Sequence, residues 1–130
     1  MATATPSHSD AVLDGALGVI TGNATTIMLL SDTADAYDAQ STAYATFDAA
    51  KLGTATVSFG SATDATSGRK VTVTPAEGNV SATGTGSAYA LTNGTDTVYT
   101  VGDLSDQVVT SGNTFTIASF DITFADPTSA

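Results

Sequence analysis

From residue 54 onward the chain is a succession of short alternating apolar runs, each closed by a turn. "TATVSFG" places Ala55, Val57 and Phe59 on one face, and "RKVTVTP" places Val71 and Val73 on one face. "NVSATGTGSAYALTNG" reads as a glycine-broken strand ending in Tyr89 and Leu91, followed by the turn "TNGTD". "TVYTVGDL" puts Tyr99 and Val101 together, and "QVVTSGN" leads through another turn into the last strand. Strands have a side-chain period of two. Their recurrence about every ten to fifteen residues, with turn residues between, is the pattern of an antiparallel sandwich or barrel.

The last run breaks its own alternation. In "NTFTIASFDITFAD", Phe115 and Ile117 share one parity, whereas Phe120, Ile122 and Phe124 share the other. One residue of slip turns every later side chain to the opposite face, so a bulge or a change of packing environment is expected at Ala118–Ser119. The longer alternation assigns Phe120, Ile122 and Phe124 to the core and Phe115 to a position nearer a neighbouring subunit.

One helix precedes the strands. In "SDAVLDGALGVITGN", Ser9 is the expected N-cap and Asp10 a first-turn acid. Val12, Leu13, Ala16, Leu17 and Ile20 form one apolar stripe, and Gly22–Asn23 is the expected stop. A helix over 10–21 of this kind needs a sheet to lie on. "TTIMLLS" is apolar enough for a strand buried on both faces and far too short to span a bilayer. Residues 32–53 have no clean period and read as a long loop with a helical turn near Asp48–Lys51. Such a loop is uncommon in a small domain and is often a contact region. Its aromatics, Tyr37, Tyr44 and Phe47, are therefore interface candidates.

These readings give a mainly β chain: an antiparallel sandwich or barrel over residues 9–127 with one N-terminal amphipathic helix packed on it. Residues 1–8 form an arm and 128–130 a frayed end. With 130 residues the chain supports a single domain. Composition agrees: twenty-five Thr, twelve Gly, and twelve Asp against a single Glu favour strands and turns over helix interiors. The absence of cysteine excludes disulfides and thiolate metal sites. "MATATPSHSD" has no apolar segment and does not read as a secretory signal. A net charge of −10 argues against nucleic-acid partners and anionic membranes.

Nothing in the chain spells out chemistry. His8 is the single histidine and lies in the arm, which leaves no nucleophile relay. Asp32, Asp35 and Asp38 are spaced by three and could gather Ca²⁺, but the spacing is not that of an EF-hand loop, and the bland reading is a solvated loop. "GTGSAYA" lacks the lysine and following helix of a phosphate loop. Asn23, Asn79 and Asn93 head glycosylation-type triplets of the kind a threonine-rich chain produces by chance. Arg69 and Lys70 are two of only three cations. They read as a solubilising pair, or, in the sharper version, Arg69 meets a carboxylate of a neighbouring subunit.

Four stretches together carry a resemblance: "DAVLDGALGVITGNATTIMLLSD", "SGRKVTVTP", "VSATGTGSAYAL" and "VVTSGNTFTIASFDITFADP". From about Asp10 to Pro127 the chain resembles a family of small virion proteins of tailed bacteriophages, generally encoded beside the major capsid protein. The loop "TADAYDAQ" has no counterpart in that resemblance. The resemblance implies a head decoration, or cement, protein made in the host cytoplasm and seated on the capsid exterior. It implies the major capsid protein as partner, a homo-trimer or other homo-oligomer, no cofactor and no catalysis. Arg69, Tyr37, Tyr44, Phe47 and Phe115 are the expected interface residues. The alternatives are a neck, tail or fibre-base component, a small glycan-binding β-domain and, least supported, an enzyme.

Overall fold

The computed structural model describes residues 7–32 and 37–126. Helix α1 (Asp10–Asn23) is followed by β1 (Thr26–Ser31), α2 (Tyr44–Ala50), β2 (Lys51–Thr56) and β3 (Thr63–Asp64). Then come β4 (Arg69–Val73), β5 (Ala76–Val80), β6 (Gly84–Thr92), β7 (Val98–Val109), β8 (Thr114–Ile117) and β9 (Phe120–Phe124). The fold is mainly β, a curled antiparallel sheet with the N-terminal helix packed on it, as expected. Six strands run in the order β7-β6-β1-β2-β5-β8, and a second sheet has the order β3-β4-β9.

β1 lies in the interior of the larger sheet, between β6 and β2. Both of its edges are therefore paired, and because each of its faces also packs into a hydrophobic cluster, its apolar run has no alternation. Ile27 and Leu29 enter the main core, whereas Met28 and Leu30 enter a smaller cluster on the opposite face. The main core also takes Leu17 and Ile20 of α1, Val71 and Val73 of β4, Phe115 and Ile117 of β8, and Ile122 of β9. The smaller cluster is completed by Phe47, Ala88 and Ala90.

α1 starts where expected. The Ser9 hydroxyl accepts from the Val12 N–H at 3.4 Å, and the Ala24 N–H closes the helix on the Ile20 carbonyl at 2.8 Å. The buried stripe is narrower than expected: Leu13, Leu17 and Ile20, at i, i+4 and i+7. Val12 is 59 % exposed and Ala16 is also on the outside. A helix end-capped on a sheet needs only the row of residues that points down onto it.

The loop expected over 32–53 contains a full second helix, and the next strand begins at Lys51. β5 carries no strand pattern of its own, since "AEGNV" is apolar only at its ends; its pairing with β2 and β8 makes it a strand. Tyr99 and Val101 do not share a face. Leu91 pairs with Thr100 and Thr92 with Val98, so Tyr99 is bulged out of register. Tyr99 consequently packs on the main core while Val101 packs on the smaller cluster.

The parity change in the last run is a change of sheet. β8 pairs with β5 in the larger sheet, and β9 pairs with β4 in the smaller. Ala118 and Ser119 form the corner between them, the usual device by which a strand passes from one sheet to another. Both halves nevertheless serve one core, since Phe115, Ile117 and Ile122 are buried in it and Phe120 and Phe124 pack against it.

Candidate assembly surfaces

All three cations are engaged within the chain. Arg69 Nε donates to Asp14 Oδ1 at 2.8 Å and Arg69 Nη1 to Asp64 Oδ1 at 2.8 Å, with Asp10 at 3.8 Å. Lys51 Nζ meets Asp48 at 2.6 Å and Lys70 Nζ meets Asp121 at 3.4 Å. Arg69, expected to reach a neighbouring subunit, finds its partners within the subunit: its side chain is 16 % exposed and its fork is filled by carboxylates of its own chain. Its hydrogen bonds to Asp14 and then Asp64 raise its pKa further, so it is permanently charged.

Of the aromatic candidates, Phe47 and Phe115 point inward and Tyr37 and Tyr44 are half-buried. Phe47 is fully buried beneath α2, and Phe115 is 3 % exposed in the main core, so neither is a surface contact. Tyr37 stacks on Phe47 with ring centroids 5.6 Å apart and donates from its hydroxyl to the Ser31 carbonyl. Burial, and then the Asp32 charge, push the Tyr37 pKa up. Tyr44 is half-buried against the same cluster. α2 and these tyrosines thus cover the outer face of β1 and β6. Of the three acids weighed as a cation site, Asp35 lies outside the described residues, and Asp38 accepts from the Gln40 N–H at 2.7 Å as a turn residue. Among the described residues no group of three His, Cys, Asp or Glu side chains could hold a metal ion.

Two surfaces stand out instead. The first is the outer face of α1, where Ala11, Val12, Gly15, Gly18, Val19 and Gly22 are all exposed. At 100° per residue these six fall opposite the buried row of Leu13, Leu17 and Ile20. They carry no charge and no polar side chain. A Cβ added at Gly15, Gly18 or Gly22 would meet nothing within 4 Å, so no contact inside the subunit calls for glycine there.

The second is the seam of the curled sheet. β7 and β8 are its two edge strands and are joined directly by residues 110–113, yet no register pairs them. One side chain bridges the gap: Gln107 Nε2 donates to the Thr116 carbonyl at 3.3 Å. Around it opens a cleft of about 480 Å³ whose lining, polar as well as apolar, includes Asp103, Leu104, Asp106, Ile117 and Phe120. Leu104 and Phe120 pack on the main core from this cleft, so its floor is apolar and its rim acidic. β7 is loosened here as well: Asp103 pairs with Ala88 and Gln107 with Gly86, so three residues of β7 oppose Ser87 alone. Tyr89 packs on Phe120 at 4.4 Å, and burial, then Asp103, raise its pKa.

The seam was not among the sequence candidates. Its signal was the polar interruption "DLSDQ" between two apolar pieces, which reads as a boundary between strands until one strand is known to run through it. No helix among the described residues is long and apolar enough to cross a membrane. No protein-family model, curated protein or solved structure matches the chain.

Proposed function

We propose that this chain is a structural subunit of a bacteriophage capsid exterior, a decoration protein that acts by binding rather than by catalysis. On this reading it forms a homo-oligomer and docks on the major capsid protein. The observation that carries it is the outer face of α1. Each helix-interior glycine costs about 1 kcal/mol relative to alanine. Gly15 and Gly18, inside the helix with open space beside them, gain the isolated subunit nothing, but they allow a second surface to approach the helix backbone closely. The face suits another copy of the chain in particular. Copies charged −10 repel one another, and an uncharged face is where they meet with least repulsion. The resemblance of the four sequence stretches to small phage virion proteins supports the capsid as the setting.

The test is quantitative mass spectrometry of particles made by the genome that encodes the chain, with a density map of the same particles. A decoration role gives copies in proportion to the major capsid protein, on the outside of the shell. A single ring of copies at the neck would move the role there, and a chain missing from the particle ends the proposal. In solution, Val12→Lys with Val19→Lys should dissociate the oligomer while leaving subunit melting nearly unchanged. Self-association should strengthen from very low salt to about 0.1 M, where the Debye length has fallen to about 10 Å.

A further inference from the structure

We propose that the seam between β7 and β8 is a docking groove for an extended, cation-bearing strand of a partner chain. The inference rests on the seam alone and not on the capsid reading. Two strand edges face each other across the seam without forming a ladder, and a glutamine side chain spans what backbone hydrogen bonds do not. Strands in a ladder lie about 4.8 Å apart, and unpaired edges are templates for an added strand. A segment laid along a free edge of the seam gains main-chain hydrogen bonds from that edge and side-chain contacts from the cleft, the mode known as strand addition.

The cleft specifies what such a strand carries. Leu104, Ile117 and Phe120 offer an apolar floor for every second side chain. Asp103 and Asp106 stand exposed at the rim, where the intervening side chains point, and no cation lines the cleft. The matching sequence alternates apolar residues with lysine or arginine. A second copy of this chain does not supply it. Its three cations are Lys51, Arg69 and Lys70, and each is held by an acid of its own subunit. The partner is therefore a different protein that presents free cations on an extended segment.

The experiment uses the full chain as bait for a random library of ten-residue peptides. The recovered pool should alternate Val, Ile or Thr with Lys or Arg. A peptide from it should shift the backbone amide resonances of 103–107 and 116–119. N-methylation of the amides on one edge of the peptide should abolish binding, because it removes ladder hydrogen bonds and leaves the charge. Asp103→Asn with Asp106→Asn, both at exposed positions, should weaken the peptide by roughly three- to tenfold, and added salt should weaken it as well. A pool no richer than that on bare support overturns the proposal. So does an acidic or patternless pool, binding that maps to α1, or binding indifferent to N-methylation or to the double variant. Salt moves the seam and the α1 face in opposite directions, so failure of one is distinguishable from failure of the other.

Discussion

Arg69 on β4 and Asp14 on α1 face each other at 2.8 Å and 3.2 Å, two hydrogen bonds that tie the helix to the smaller sheet. Residues 55 apart in sequence are thereby joined at a point where α1 otherwise offers only Leu13, Leu17 and Ile20 to the interior. The paired geometry is the strong form of a carboxylate–guanidinium contact.

Arg69→Gln should therefore lower the melting temperature and loosen α1 before the sheets. Amide exchange of residues 10–23 should accelerate ahead of exchange in β1 and β6. Asp14→Asn should do the same, and the double variant should be no worse than the more damaging single one. Additive effects of the two changes would mean that each residue acts through some other partner.

The end of the chain makes a second test. Phe115 and Ile122 lie in different sheets but in one core. Phe115→Ala should cost about 3–5 kcal/mol and Ile122→Ala about 2–5 kcal/mol of subunit stability in denaturant unfolding. An unfolding midpoint left unchanged by Phe115→Ala would return that residue to the surface.

What could be read from the sequence were the elements whose residues decide their own structure. Ser9 announces α1 whatever lies beyond it, and "TIMLL" can only be covered on both sides. The alternations around Val71 and Ile122 needed no partner to be recognised. α2 was legible only as a helical turn near Asp48–Lys51, because its seven residues, "YATFDAA", hold one buried anchor, Phe47, and their N-cap, Ala43, makes no side-chain cap. β5 and the Tyr99 bulge depend on their neighbours' register, which no local pattern encodes. Arg69 shows the same limit: its charge was legible, whereas its partners belong to a helix and a short strand placed beside it by the fold. The seam is the extreme case, since it exists only because of which two strands end the sheet.

Close packing gives a third test. A Cβ at Gly86 would lie 2.5 Å from Leu29 Cδ1. Leu29 is fully buried between β6 and β2, so its side chain has little room to turn. Gly86→Ala should destabilise by about 1–3 kcal/mol, the range for overpacking. Combined with Leu29→Ala it should cost less than the sum of the two single changes, because the removed leucine makes room for the added methyl group. Strict additivity would show that the strand and not the side chain is what Gly86 protects.

The last expectation concerns pH and follows from four groups. Asp121 lies below the ordinary carboxylate value of 3.8, because Thr72 Oγ1 donates to it at 2.7 Å and Lys70 stands close by. Asp96 is lowered by hydrogen bonds from Asn93 and then Thr97. With depressed folded pKa values, these acids bind fewer protons than in the unfolded chain. Their stabilisation is present above the unfolded value and is lost as pH falls through the folded one. Tyr89 and Tyr37 are shifted the other way, above 10.0, chiefly by burial. Their contribution is complete below the unfolded value and is lost as pH rises through the folded one. The melting temperature should therefore be flat between about pH 5 and about pH 9, with a fall on each side. Asp121→Asn should make the acid fall shallower and leave the alkaline fall alone, and Tyr89→Phe should do the reverse. A Tyr89→Phe protein that keeps the full alkaline loss would show that the ring beside Gly102 and Asp103 ionises as freely in the folded chain as in water.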